Sequence, residues 1–207
     1  MSTLYTETNT YSNIGPLEDA FPHVIALTGF ARSGKDTVAG ILSRYGYIRL
    51  AVADPLREWL YGLNPVVSSD SYGRVFRVRD VVDDVGWDEA KSTFEVRALL
   101  QRIGEFGREL LGEDIWIETL HAKMDPHEKY VITDARFKNE VKYLKKRVGA
   151  VAVHVHRPGI GPVNGHISDM GVPLNLLDGV ITNDRDVVAL ENAVAAFLDN
   201  WMLDDSI

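Results

Sequence analysis

The stretch that most constrains the fold is "HVIALTGFARSGKDTVAGILSRYG", residues 23–46. An apolar run closed by glycine predicts a short strand, and Val38, Ile41 and Leu42 share one face of a helix that Gly46 stops. Between them Gly29, Gly34 and Lys35 make GxxxxGK. In this spacing the backbone N–H groups of a turn converge on an anion at a helix N-terminus, while the lysine reaches the terminal phosphates. A strand before and a helix after are the context the motif requires. The candidate triphosphate-binding residues are therefore Gly29, Arg32, Ser33, Gly34, Lys35, Asp36 and Thr37. One of them departs from the usual pattern. Asp36 stands where a Ser or Thr would ligate magnesium, and a carboxylate beside a triphosphate repels it unless a cation lies between. Either Asp36 contacts the metal, directly or through water, or Thr37 or another acid does.

The rest of the chain alternates the same two patterns. "YIRLAVAD" predicts a second strand, and "PLREWLYGL" a helix with Pro55 at its first position. "TFEVRALLQRIGEFGRELLG" places Val96, Leu99, Leu100, Ile103, Phe106 and Leu110 three and four apart, an amphipathic helix despite two internal glycines. "EDIWIETLHAKM" predicts a further helix, "KYVITDAR" a strand, "FKNEVKYLKKRV" a helix and "AVAVHVHRPG" a strand running into a turn. "LDGVITND" and "DVVALENAVAAFLDNWM" give the last strand and helix. Residues 64–92 mix turn residues with charge and show no sustained period; residues 1–22 are polar and predict a poorly ordered tail. Strands apolar on both faces, alternating with helices, predict an α/β architecture with a parallel sheet covered on both sides.

Composition narrows the function. The chain has 207 residues, no cysteine and a formal net charge of −8, which excludes disulfides, thiol catalysis and a surface built for nonspecific nucleic-acid binding. No run approaches the roughly 18 apolar residues of a membrane helix, and the N-terminus lacks the pattern of a secretory leader, so a cytoplasmic protein is expected. Phosphate must then be bound locally, by a few placed cations. Arg57 lies one turn into the helix after "ADP", and Arg97 and Gln101 are four apart on one helical face. On spacing alone, each also reads as a solvated helix residue. Asp134 and Arg136 fall at the carboxyl end of a strand, where open α/β sheets bind ligands, although a strand-end ion pair would give the same pattern. His154 and His156 alternate along a strand as core or edge residues, and no histidine pair has a metal-binding spacing.

"GFARSGKDT" resembles the loop of the bacteriophage deoxynucleoside monophosphate kinases, GxxRSGKDT, with the same aspartate. "ADPLRE", "VRALLQRIG" with Trp116 after it, "VITDAR", "AVAVHVHRPG" with "HISDMGVP", and "VITND" follow in that family's order. The resemblance spans about residues 23–200 and leaves the tail and much of 64–92 unmatched. It implies an α/β P-loop NTPase three-layer sandwich with a parallel sheet of about five strands. A tail of residues 1–22 would precede a single kinase domain, 23–207, with a helical monophosphate-binding insertion at 54–122 and a lid at 157–175. The implied reaction transfers the ATP γ-phosphoryl group to a deoxynucleoside monophosphate, with Mg2+.

The same resemblance implies the roles. Lys35 and the loop amides hold the β and γ phosphates, and Asn183 lies near the adenine. Arg57 and Arg97 bind the acceptor phosphate, and Gln101 the phosphate or base. Trp116 walls the base pocket or is a core tryptophan. Asp134 holds magnesium through water or orients an arginine, and Arg136 meets the acceptor or the moving phosphoryl group. Arg157 closes over the transfer, and His166 is structural or hydrogen-bonds substrate. The catalytic set is then Lys35, Arg97, Arg136 and Arg157, and the metal candidates are Asp36, Thr37 and Asp134. Partners would be ATP and the deoxynucleotide, with no nucleic acid and no membrane; a homodimer is compatible with the family, and the compartment is the host cytoplasm if a phage encodes the chain. The bases accepted stay open. Two alternatives remain: another small-molecule kinase, since phosphomevalonate kinases carry a similar SGKD loop, and a non-catalytic ATP-binding switch.

Overall fold

The computed structural model describes residues 21–161 and 171–204, with side chains as far as Trp201. In chain order its elements are β1 (Val24–Thr28), α1 (Lys35–Ser43), β2 (Tyr47–Leu50), α2 (Asp54–Leu63), β3 (Val66–Ser69), β4 (Val75–Arg77), α3 (Val78–Ala90), α4 (Phe94–Leu111), α5 (Ile115–His121), β5 (Lys129–Ile132), α6 (Lys138–Tyr143), β6 (Val151–His156), β7 (Gly179–Thr182) and α7 (Val187–Asp204). Five strands form one sheet in the order β2-β5-β1-β6-β7, and every pairing in it is parallel. This is the α/β sandwich expected from the alternation of elements.

All five residues of β1 are buried, because the strand is central and covered on both faces. Its period of two divides them. Ile25 and Leu27 pack with Val38, Ile41 and Leu42 of α1 and with Leu190, Val194 and Leu198 of α7. Val24 and Ala26 pack on the other side with Leu56, Trp116, Ile117, Leu120, Val141 and Leu144. Two helical layers and a sheet result. The chain leaves β1 for β2 on one side and later returns across β1 from β5 to β6, so the strand order reverses at β1. The crevice beyond its carboxyl end is where open α/β sheets take ligands.

Between β2 and β5 the chain inserts α2 to α5 and the antiparallel hairpin β3–β4. This arm has its own small core of Leu60, Val78, Ala90 and Val96, flanked by Leu99, Leu100, Ile103 and Trp87. Regular structure within 64–92 was not legible from the sequence for two reasons. The hairpin strands are short and mostly exposed, so they carry no alternation, and α3 is interrupted at Gly86, whose φ of 75° breaks the helical period. Within α4, Gly107 is required by packing: a Cβ there would stand 2.4 Å from the Trp116 ring. The expected lid, 157–175, falls in part outside the described residues. Among the described residues no helix is long and apolar enough to cross a membrane.

Candidate active site

The loop leaves the end of β1 and turns through Arg32, φ 67°, into Gly34, φ 104°, which caps α1. Ser33 N–H donates to Phe30 O at 3.2 Å, and Val38 N–H donates to Gly34 O at 2.9 Å to open the helix. Lys35 Nζ lies across the loop and donates to the carbonyls of Gly29 and Phe30, both at 2.8 Å. Burial holds its pKa below the usual lysine value, and the charge of Arg136 pushes the same way against Asp36 and Asp134. A lysine so placed favours an anion as partner. Asn183, just after β7, braces the loop: its Nδ2 donates to Ser33 O at 2.9 Å, while its own N–H donates to His156 O at 2.7 Å. The approach is so close that a Cβ on Gly34 would meet Asn183 Nδ2 at 2.4 Å. Arg157 Nη1 donates to Arg32 O at 3.5 Å, so the end of β6 also touches the loop.

Across the crevice, the carboxylate of Asp134 accepts the N–H groups of Val52 at 2.5 Å and Ala53 at 3.2 Å. Burial pushes its pKa up, opposed by those bonds and by Arg136 and Arg57. Asp134 thus ties the end of β5 to the turn that launches α2. Asp54 in that turn accepts Ala51 N–H at 2.7 Å and pairs with Arg57 Nη1 at 2.8 Å; Arg57 Nε is buried with no partner among the described residues. Arg136 is exposed, and its backbone N–H donates to Glu140 at 2.9 Å.

The sequence-predicted residues divide accordingly. Lys35, Asp36, Thr37, Arg57, Asp134, Arg136, Arg157 and Asn183 gather around the carboxyl edge of the sheet. Arg97 and Gln101 are exposed on α4, with Arg97 Nε donating to Lys91 O at 3.1 Å. Trp116 is 1% exposed, packs on Gly107, donates Nε1–H to Gly104 O at 3.0 Å and meets Trp59 edge-on at 5.3 Å. That burial fits the core tryptophan of the two alternatives. His166 lies outside the described residues.

None of Arg108, Glu140 and Arg49 was singled out from the sequence. Glu140, 3% exposed, accepts Arg136 and Phe137 N–H groups and Arg108 Nη2 at 3.2 Å, with the Arg108 guanidinium 4.3 Å over the Phe137 ring. The signal available was "FKNE", a carboxylate placed to reach back to the amides at the start of a helix. Arg49 pairs with Asp36 at 2.6 Å. No sequence spacing announces that contact.

Among the described residues, no cluster of three or more His, Asp or Glu could cage a metal. Magnesium characteristically takes one or two protein oxygens and otherwise phosphate and water, and the carboxylate and hydroxyl of Asp36 and Thr37 at the head of α1, with Asp134 nearby, fit that mode.

Comparison with known proteins gives the family. The family model described as "Deoxynucleotide monophosphate kinase" matches residues 70–194, more than half of the chain. The chain belongs to the deoxynucleotide monophosphate kinase family. It is a phosphotransferase. A protein of Acanthamoeba polyphaga mimivirus, provisionally named for the same activity, is 27% identical over 194 residues, covering 86% of this chain and 96% of that one. The deoxynucleotide monophosphate kinase of Escherichia phage RB69 is 23% identical over 166 residues, covering 80% of this chain and 59% of that one. Among solved structures, a dephospho-CoA kinase from Campylobacter jejuni aligns over 88% of this chain and 98% of its own at 12% identity, with a TM-score of 0.42, too loose a likeness to carry an argument. The loop at 29–37 lies before the span that the family model matches, so its assignment rests on its own geometry.

Proposed function

We propose that the protein transfers the γ-phosphoryl group of ATP to a deoxynucleoside monophosphate, giving ADP and a deoxynucleoside diphosphate. The observation that carries this reading is the placement of two cationic groups at one edge of the sheet: the phosphate loop with Lys35 follows the end of β1, and the exposed Arg136 follows the end of β5, the parallel strand paired beside it. A binding module for one triphosphate needs only the first.

In this reading the loop amides and Lys35 hold the β and γ phosphates, and Asn183 keeps the loop in shape through Ser33. The arm, residues 54–122, brings the acceptor. Arg57 and Arg136 meet its phosphate, and Arg97 and Gln101 complete the pocket when α4 closes. An acceptor phosphate oxygen then attacks the γ phosphorus in line, and the bond from the γ phosphorus to the bridging oxygen of ADP breaks. Little base catalysis is required, because the transition state is loose and its charge sits on the transferred oxygens. Magnesium, held by the phosphates with Asp36, Thr37 or Asp134 behind it, would supply positive charge to those oxygens. The segment 157–175, opened by Arg157, acts as a lid that excludes water and so suppresses ATP hydrolysis. The reaction uses small metabolites of the cytoplasm, a host's if the gene is viral.

The test is ADP release with magnesium-ATP and a panel of the four deoxynucleoside monophosphates, the matching ribonucleotides and phosphomevalonate. Turnover with at least one deoxynucleotide and little with ribonucleotides is expected. Turnover confined to phosphomevalonate, or silence across the panel with ATP still bound, overturns the proposal.

A further inference from the structure

We infer that Arg49, on the edge strand β2, is a positioning residue for the triphosphate site: it draws Asp36 aside and neutralises it, so that the head of α1 can take an anion although the chain carries a carboxylate there. The inference rests on the donor-site reading above.

Asp36 is the second residue of α1, directly after Lys35. At that position a carboxylate enjoys the same free N–H groups and positive helix end that serve a bound phosphate. It is therefore a competitor: two anions would share one helix terminus and repel each other. The structure shows where the extra charge goes. Asp36 Oδ1 accepts from Arg49 Nη2 at 2.6 Å, with the side chains 80% and 53% exposed. An exposed pair of this kind contributes little to stability, so folding alone gives no reason for the alignment.

The sheet explains how Arg49 reaches Asp36. Arg49 lies opposite Val131 of β5, and Tyr47, two residues earlier and hence on the same face, is buried in the layer formed with α1. The Arg49 side chain thus emerges on the α1 side of the strand that borders that helix. The aspartate in place of the usual hydroxyl and the arginine thirteen residues later form one device.

Steady-state kinetics at saturating acceptor test it, on wild type, Arg49→Ala, Arg49→Lys, Asp36→Asn and the Arg49→Ala/Asp36→Asn double variant, each checked by thermal melting. Arg49→Ala should raise the KM for magnesium-ATP roughly five- to tenfold, with a smaller change in kcat, as expected for one uncompensated charge near a partly solvated phosphate. Arg49→Lys should recover most of the loss. The double variant should bring the KM back severalfold from that of Arg49→Ala, and added salt should narrow the gap between Arg49→Ala and wild type. Unchanged KM in Arg49→Ala overturns the inference, as does failure of Asp36→Asn to rescue it. Loss of turnover and of magnesium dependence in Asp36→Asn alone also overturns it, by making the carboxylate a metal ligand. The two layers separate cleanly: wild type that fails to bind ATP in an equilibrium titration removes the donor-site reading and this inference together, whereas wild-type binding with an unaffected Arg49→Ala removes the inference alone.

Discussion

The two sides of the crevice are built differently. On the donor side, short bonds cross between elements of the main sheet: Asn183 after β7 holds Ser33, Lys35 holds two loop carbonyls, Thr28 Oγ1 lies 3.2 Å from His154 Nδ1, and Arg157 touches Arg32. On the acceptor side, the arm has a four-residue buried core of its own, and its arginines bond locally, Arg57 to Asp54 and Arg97 to Lys91 O. The phosphate loop is thus braced by the central strands, whereas Arg57 and Arg97 are engaged within the arm, where on the proposed function a substrate would compete for them. Such a division suits a kinase. On the proposed function ATP would bind a finished loop and Arg97 would join the transfer site only with the acceptor, which would limit transfer to water.

The largest expected effect breaks the donor side. Lys35→Met should lower kcat by at least about a thousandfold, as loss of a charge aimed at the transferred phosphates does, while the melting temperature moves by no more than a few degrees. Activity within tenfold of wild type would remove the loop from the mechanism. Next in size is a break in the arm's anchorage. Trp116→Ala should destabilise the protein by about 3–5 kcal/mol, read from denaturant unfolding, because it empties a filled site against Gly107 and strands the Gly104 carbonyl. A loss below about 1 kcal/mol coupled to a raised nucleotide KM would return Trp116 to the base pocket.

These two residues also mark what the sequence could and could not reveal. Lys35 was legible because strand, loop and helix are contiguous, so the motif and its context lie in one window. The sheet strands were legible for a related reason: burial on both faces leaves uninterrupted apolar runs. Trp116 was ambiguous because helical spacing shows that a ring faces inward and not what it faces; the answer, Gly107, sits on another helix. Residues 66–90 hid their structure behind an exposed hairpin and the break at Gly86. Glu140 looks like a surface residue in a charged helix, and only the fold brings Arg108 to it. Contiguous chemistry reads from sequence; chemistry assembled across elements does not.

Two smaller effects sharpen the contrast. Arg97→Ala should cut kcat/KM for the acceptor roughly a hundredfold, the cost of a charge-assisted phosphate contact, with the KM for ATP little changed. Asn183→Ala should do the reverse, raising the KM for ATP about tenfold by freeing the Ser33 carbonyl and leaving the acceptor KM in place. If both variants moved both constants equally, the two sides would be one rigid site and the division drawn above would fail.

The smallest effect concerns the pH dependence of the donor side. His154 on β6 is half-buried, lies 3.2 Å from Thr28 Oγ1, and meets the Phe30 ring edge-on. Burial lowers its pKa from 6.5, and His156 and Lys35 push it the same way. The folded state therefore prefers the neutral ring. Above about pH 6.5 neither state binds the proton, so the contribution to stability is fully present; as pH falls below that value the unfolded chain takes the proton first, and stability is lost until the folded pKa is passed. The melting temperature should accordingly decline on acidification from neutrality through that window, and His154→Gln, which keeps an acceptor for Thr28 without a titrating ring, should flatten part of the decline. A profile that keeps its full slope in the variant would show that the loop's floor does not titrate, and would leave the donor side braced by its hydrogen bonds alone.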